Sequence, residues 1–197
     1  MLENFKPRLY QETIFNTAVS RNTLVVIPTG MGKTALAMML AVKRKQQHPN
    51  SKILIIAPTR PLVEQHLQTF KKYIKDQEDK FTLFTGYVKP EKRAELWKTA
   101  EYIFSTPQGL ENDIINKRIK LEEVSLLVVD EAHRAVKDYS YVWVSKQYNK
   151  LAKYPRILAL TASPGSDLEK IQEVVTNLSI ETIEVRTDND PDVKPYI

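Results

Sequence analysis

Two short stretches hold residues that could do chemistry together. The first, Asp130-Glu131-Ala132-His133, closes the apolar run SLLVVDEAH, so two carboxylates and an imidazole stand where a buried strand should end. The second, Pro28-Thr29-Gly30-Met31-Gly32-Lys33-Thr34, follows the apolar run TLVVI and opens a helix-like stretch. Gly30 and Gly32 permit backbone angles that other residues resist, which lets amide N–H groups face a phosphate. The helix that follows lends its positive N-terminal end. Lys33 has the reach for β- and γ-phosphates, and the Thr34 hydroxyl suits Mg²⁺. The strict pattern for such a loop asks for glycine at position 27, where this chain has Ile27. A carboxylate at a strand end opposite this loop is where a second protein ligand for the ion belongs. Asp130 fits that role, directly or through water. Glu131 then orients and activates the attacking water, because phosphoryl transfer asks mainly for positioning and charge stabilisation.

Other residues admit two readings. His133 lies too far along to activate water; it suits a hydrogen bond across the site to Thr161 or Ser163 in LTASPG, though ordinary turn chemistry accounts for all three. Arg8 and Gln11 in FKPRLYQ could stack on a base and read an adenine edge, but an exposed helix start explains the same residues and residue type alone slightly favours it. Thr59 and Arg60, Thr85 and Gly86, and Thr106 follow further apolar runs. Hydroxyls, backbone amides and a guanidinium are what phosphodiester contacts use. Helix N-caps explain the Thr positions as well, and none of these segments contains an evident base-stacking aromatic. Lys43, Arg44 and Lys45, then Lys71, Lys72 and Lys75, read as solvated helix ends; Trp97 and Trp143 read as core or partly buried anchors.

The elements that must position these residues alternate along the chain. The apolar runs at 23–27, 52–57, 81–85, 102–106, 125–130 and 156–161 are short, continuous and often β-branched, as strands buried on both faces are. Helix-like stretches at 34–47, 60–75 and 142–153 separate them; in the second, Leu62, Val63, His66, Leu67, Phe70, Tyr73 and Ile74 recur at helical spacing. This βα order predicts an α/β fold with a doubly wound, mainly parallel sheet, whose ligands gather beyond the carboxyl ends of the strands. SIETIEVR (179–186) reads as a last strand, and TDNDPDVKPYI after it as an exit segment with little that could pack.

Composition sets outer bounds. The 197 residues suit one domain, 42% hydrophobic and 27% charged. There is no cysteine, which excludes disulfides, thiolate catalysis and cysteine-ligated metals; three scattered histidines argue against a histidine-rich metal site. The net charge of +5 is compatible with a nucleic-acid partner without requiring one. No apolar run approaches the ~20 residues of a membrane span, and the N-terminus lacks a signal-peptide core. The expected location is intracellular.

Taken in order, these segments resemble the first RecA-like domain of superfamily 2 helicases, over roughly residues 5 to 165. RLYQ (8–11) resembles the adenine-reading motif, PTGMGKT (28–34) motif I and APTRPLVEQ (57–65) motif Ia. Thr85-Gly86 and STPQGL (105–110) look like the next two strand-contacting motifs, DEAH (130–133) like motif II and TAS (161–163) like motif III. APTRPLVEQH, LLVVDEAHRAV, LALTASPG and DPDVKPYI are most similar to the archaeal Hef helicase–nuclease and its Fanconi anaemia group M relatives; Dicer and the RIG-I-like sensors carry a similar set. The resemblance implies an ATPase that acts with Mg²⁺ on branched or stalled-fork DNA. It would lie in the cytoplasm and, if archaeal, near the nucleoid. It implies ATP contacts from Arg8, Gln11, Thr29, Gly30, Met31, Gly32, Lys33 and Thr34, and Mg²⁺ on Thr34 and Asp130. Lys33, Asp130 and Glu131 would be catalytic, His133, Thr161 and Ser163 would couple domains, and Thr59, Arg60, Thr85, Gly86 and Thr106 would touch DNA. It also implies a second RecA-like domain and a nuclease-type domain elsewhere in a longer protein, with residues 1–186 as the ATP-binding domain and 187–197 as the start of the linker.

Overall fold

The computed structural model describes residues 2–162 and 168–197, so Ser163 lies outside the described residues. The six apolar runs and the SIETIEVR segment form strands β1 Thr23–Val26, β2 Lys52–Ile56, β3 Phe81–Phe84, β4 Tyr102–Ser105, β5 Val124–Val129, β6 Ile157–Thr161 and β7 Thr182–Val185. They pair, every one in parallel, in the spatial order β3-β4-β2-β5-β6-β1-β7. Helix α1 Leu9–Ser20 precedes β1, and helices α2 Lys33–Gln47, α3 Arg60–Tyr73, α4 Pro90–Thr99, α5 Leu110–Ile115, α6 Ser140–Leu151 and α7 Leu168–Asn177 make the crossovers. The fold is the expected doubly wound sheet, and wholly parallel.

The inner strands β1, β2, β4, β5 and β6 are buried at every residue, while edge strand β7 alternates half-buried and exposed positions. Continuous apolar runs therefore mark the strands covered on both faces. Because strand side chains alternate, Val25, Ile53, Ile55 and Val128 join α1, α2 and α3 in one core. Leu24, Leu54, Ile56, Leu127 and Val129 join α4, α5, α6 and α7 in the other. Ile27, which replaces the glycine of the strict phosphate-loop pattern, is fully buried in the first core. Its N–H donates to Thr161 O at 3.2 Å, so it extends β1 instead of opening the loop early.

Helices α1, α4, α5 and α7 have no counterpart among the helical stretches marked in the sequence. In α4 only Arg93 and Trp97 are buried, too few apolar positions to display a helical period. The basic cluster on α2 does not behave as a solvated helix end. Arg44 is 5% exposed and donates to the carbonyl oxygens of Ser125 and Tyr154 at 2.9 and 3.0 Å. Lys45 pairs with Glu101 at 2.6 Å. The parallel sheet brings β5 and the end of α6 against α2, and those carbonyls capture the guanidinium. Trp97 is buried and Trp143 partly buried against the second core. The tail after β7 packs more than its composition suggests: Val193 is fully buried in the first core, and Arg186 pairs with Asp192 at 2.9 Å.

Candidate active site

Every segment singled out for chemistry leaves the carboxyl end of a strand, except Arg8 and Gln11 at the start of α1. Strand order sorts the segments into two groups. The segments after β1, β5 and β6, neighbours in the sheet, carry the phosphate loop, Asp130–His133 and Thr161. The segments after β2, β4 and β3, also neighbours, carry Thr59–Arg60, Thr106 and Thr85–Gly86.

In the phosphate loop Gly30 and Gly32 hold φ of +85° and +80°. Gly32 is the N-cap of α2 and offers no side chain to it, so the helix start is left for a ligand. Lys33 Nζ donates to Ile27 O at 3.1 Å and Pro28 O at 3.4 Å, which folds the ammonium back over the loop. Burial lowers the Lys33 pKa, and the carboxylates of Asp130 and Glu131 oppose that shift. Both carboxylates thus act on the lysine electrostatically, as a shared phosphate site requires.

Asp130 is buried at the end of β5. Its N–H donates to Ile56 O at 2.9 Å, and its carbonyl accepts from the Tyr141 hydroxyl at 2.9 Å. Oδ1 accepts the Glu131 N–H at 2.9 Å, and Oδ2 lies 2.8 Å from His66 Nε2. Burial raises the carboxyl pKa, yet the hydrogen bond with His66, the Glu131 N–H and the Lys33 charge together hold it below the usual value. The group is an anion, ready for a cation.

Glu131 adopts φ +53°, a left-handed conformation uncommon outside glycine and concentrated at functional sites. Its carboxylate lies 3.3 Å from His133 Nε2, and His133 Nδ1 lies 3.0 Å from Thr161 Oγ1. The imidazole therefore bridges the segment after β5 to the end of β6, the first of the two partners considered for it.

Around the base side, Gln11 is buried. Its Oε1 accepts the Arg8 N–H at 2.8 Å and its amide donates to Gly32 O at 3.3 Å. Arg8 donates to the Tyr10 hydroxyl at 3.0 Å, which in turn donates to Met31 O at 2.7 Å. The start of α1 thus grips the phosphate loop. Tyr196 of the tail completes this corner, taking the Leu9 N–H at 3.1 Å with the Arg8 guanidinium 5.4 Å from its ring centroid. An open cavity of about 390 Å³ lies here, lined by Phe5, Arg8, Gln11, Gly32, Thr34 and Tyr73 among others, a size suited to part of a nucleotide. A larger cavity, about 500 Å³, lies by His48 and Tyr154 at the opposite ends of the strands, away from every group above.

A profile of the DEAD/DEAH box helicase family matches residues 8–171. The chain belongs to that family. It is 46% identical, over 99% of its length, to a Methanocaldococcus jannaschii protein named as an ATP-dependent RNA helicase, and spans 25% of it. It is 39% identical, over 98% of its length, to the Drosophila melanogaster DEAD-box ATP-dependent DNA helicase Fancm, and spans 13% of it. The crystal structure of the Pyrococcus furiosus Hef helicase domain superposes with a TM-score of 0.93 at 48% identity, covering 97% of this chain and 40% of that one. The chain thus spans a quarter or less of these two curated relatives. Membership of the DEAD/DEAH family implies ATP as the nucleotide.

In this helicase domain the second group of segments is only partly displayed. Thr59, Arg60 and Gly86 are exposed, whereas Thr85 and Thr106 are buried where their loops turn in. The Thr106 N–H donates to Phe84 O, and Thr85 O closes a turn by accepting the Val88 N–H at 3.0 Å. That turn presents Tyr87, 84% exposed, with the Arg60 guanidinium 5.0 Å from its ring centroid. Tyr87 stands one residue beyond the Thr85-Gly86 pair, so a search confined to the motif residues missed an aromatic on this surface. Buried Arg93 holds two of the loops together. It donates to Val88 O and pairs with Asp113 at 2.6 Å, and a Cβ at Gly109 would come within 3.3 Å of it.

Gly32 carries two constraints at once. A Cβ there would lie 2.3 Å from Gln11 Nε2, on a backbone at φ +80°. Gly32→Ala therefore displaces Gln11 from both its partners. The expected loss is about 1–3 kcal/mol from the left-handed backbone alone, with weaker nucleotide binding besides. Denaturant unfolding and titration with a fluorescent ATP analogue read the two effects.

Proposed function

We propose that this chain is the N-terminal ATP-binding half of an ATP-dependent DNA helicase or translocase that acts on branched or stalled-fork DNA. The observation that carries the reading is the placement of the buried Asp130 anion and Glu131, after β5, at the same end of the sheet as the Gly32-capped phosphate loop after β1, with β6 between the two strands. A site that only gated binding would need no Glu131. A nucleic-acid surface beside it is supported by the exposed Thr59, Arg60, Gly86 and Tyr87.

The residues present fit Mg²⁺ with ATP. Among the described residues no group of three or more carboxylate or imidazole side chains is placed to hold a metal ion by itself. Mg²⁺ needs none, since it is usually held by one or two protein oxygens, phosphates and water. Asp130 has one hydrogen bond on each oxygen, which leaves lone pairs free. Thr34 and Asp130 would hold the ion, which supplies charge neutralisation between the phosphates. Lys33 and the α2 start bind and orient the phosphates, Glu131 takes a proton from the attacking water, and His133 links that group to Thr161. Arg8, Gln11, Thr29 and Met31 complete the nucleotide site. The rest of the longer protein supplies a second RecA-like domain and a nuclease-type domain, residues 187–197 leading toward them from a domain of residues 1–186. The proposed location is intracellular, at the nucleoid if the source is archaeal.

DNA is favoured over RNA by the likeness to the Drosophila DNA helicase Fancm, although the Methanocaldococcus relative carries an RNA name. ATP turnover by the full-length protein with forked DNA and with duplex RNA decides between them. Stimulation by forked DNA is expected; stimulation by duplex RNA alone overturns the DNA reading in favour of a Dicer- or RIG-I-like one. On the same surface, Tyr87→Ala is expected to weaken single-stranded DNA binding by about 1–3 kcal/mol, the worth of one base–aromatic stack. Fluorescence anisotropy with a labelled oligonucleotide measures it.

A further inference from the structure

His66 lies two turns into α3, the helix that opens with the exposed Thr59–Arg60 segment. It is 2% exposed, and its Nε2 stands 2.8 Å from Asp130 Oδ2. An ionised carboxylate only accepts, so Nε2 carries a hydrogen and donates to it. Nδ1 is buried and has no hydrogen-bond partner. Leaving a buried polar atom unsatisfied is costly, and native structures rarely do so. An apolar residue at this position would fill the first core without that cost, so packing does not account for the imidazole, whereas the bond to Asp130 does.

The consequence is geometric. Asp130 is held through Oδ1 by its own chain, at Glu131 N, and through Oδ2 by α3. The plane of the carboxylate therefore depends on where α3 sits relative to β5. The same helix presents Thr59 and Arg60 at its start, and Arg60 reaches Tyr87 of the neighbouring turn. We propose that His66 is a positioning residue that ties the ion-holding carboxylate to the helix behind the nucleic-acid surface, so that strand binding and ion binding are coupled. The inference rests on the functional reading above for the identity of the strand, but not for the His66–Asp130 link. Coupling of this kind is reciprocal: if DNA tightens Mg²⁺ binding, Mg²⁺ with nucleotide tightens DNA binding by the same factor.

The test uses the full-length protein with His66→Leu, which removes the N–H, and His66→Gln, which keeps a donor. Binding of a fluorescent ATP analogue is titrated with Mg²⁺, with and without a single-stranded oligonucleotide. In the natural protein the oligonucleotide should lower the Mg²⁺ half-point. In the Leu variant that half-point should rise about 10–100-fold, the usual cost of losing a group that orients a metal ligand, and it should stop responding to DNA. The Gln variant should recover most of both effects, and analogue binding without Mg²⁺ should be unchanged in all three. A Leu variant that melts earlier but keeps the natural half-point and DNA response overturns the proposal, because His66 is then structural only. Should the Leu variant not fold, the ring N–H resonance of His66 in ¹⁵N-histidine-labelled natural protein decides. It should move when oligonucleotide is added without nucleotide, and a fixed resonance overturns the coupling. If the natural protein shows no DNA-stimulated turnover, the functional reading fails instead, while the Leu half-point still judges the link to Asp130.

Discussion

Purified alone, the 197-residue chain is expected to bind ATP with Mg²⁺ yet hydrolyse it about 10³–10⁵-fold more slowly than the full-length protein on DNA, the range by which an inserted arginine accelerates phosphoryl transfer. The structure builds one wall of a site. Under the proposed function Lys33 and the α2 start would cradle the phosphates, Thr34 and Asp130 would hold the ion, and Glu131 would take the attacking water. Charge that develops on the transferring group must also be met from the open side. Several arginines of this chain are engaged elsewhere. Arg44 is bound to carbonyls, Arg93 and Arg118 to Asp113, Arg186 to Glu184 and Asp192, Arg60 to Glu64, and Arg8 to Tyr10. The proposed second RecA-like domain is the natural donor. Phosphate release with and without forked DNA, measured beside analogue binding, checks this. DNA-stimulated turnover at the full-length rate would mean that the chain, or a second copy of it, already supplies the missing cation.

Glu131→Gln in the full-length protein should lower turnover by about 10²–10⁴-fold, the typical contribution of a positioned proton acceptor, while ATP binding persists. Glutamine keeps the volume of glutamate and one acceptor oxygen, but it puts an amide NH₂ in place of the second oxygen and cannot take a proton from water. It also inherits the same left-handed backbone at φ +53°, so the fold bears no new strain. The carboxylate it replaces is part-exposed and held by one contact, with His133 at 3.3 Å, so the burial of Asp130 and its own bonds are undisturbed. Single-turnover hydrolysis and analogue titration separate the two effects. Turnover at the natural rate would remove Glu131 from the role of proton acceptor.

By itself the sequence determined the parts of this protein that rest on local pattern. Continuous apolar runs marked six of the seven strands, five of them buried at every residue because both faces of the sheet are covered there, and the βα alternation made the sheet parallel. Pro28–Thr34 and Asp130–His133 were legible because their chemistry depends on contiguous residues at a strand end. Tertiary structure alone decided what depends on strand order and on residues distant in the chain. It placed β6 beside β1 and β5 beside β6, so that Asp130 and Thr161 share the phosphate end of the sheet. It turned Thr85 and Thr106 inward and set Tyr87 out beside Arg60. It buried Arg44 against carbonyls separated from it by 81 and 110 positions. It also joined His66 to Asp130 across 64 positions. In the sequence His66 is one more member of a helical stripe, because periodicity reports which face of a helix is buried and not what that face meets.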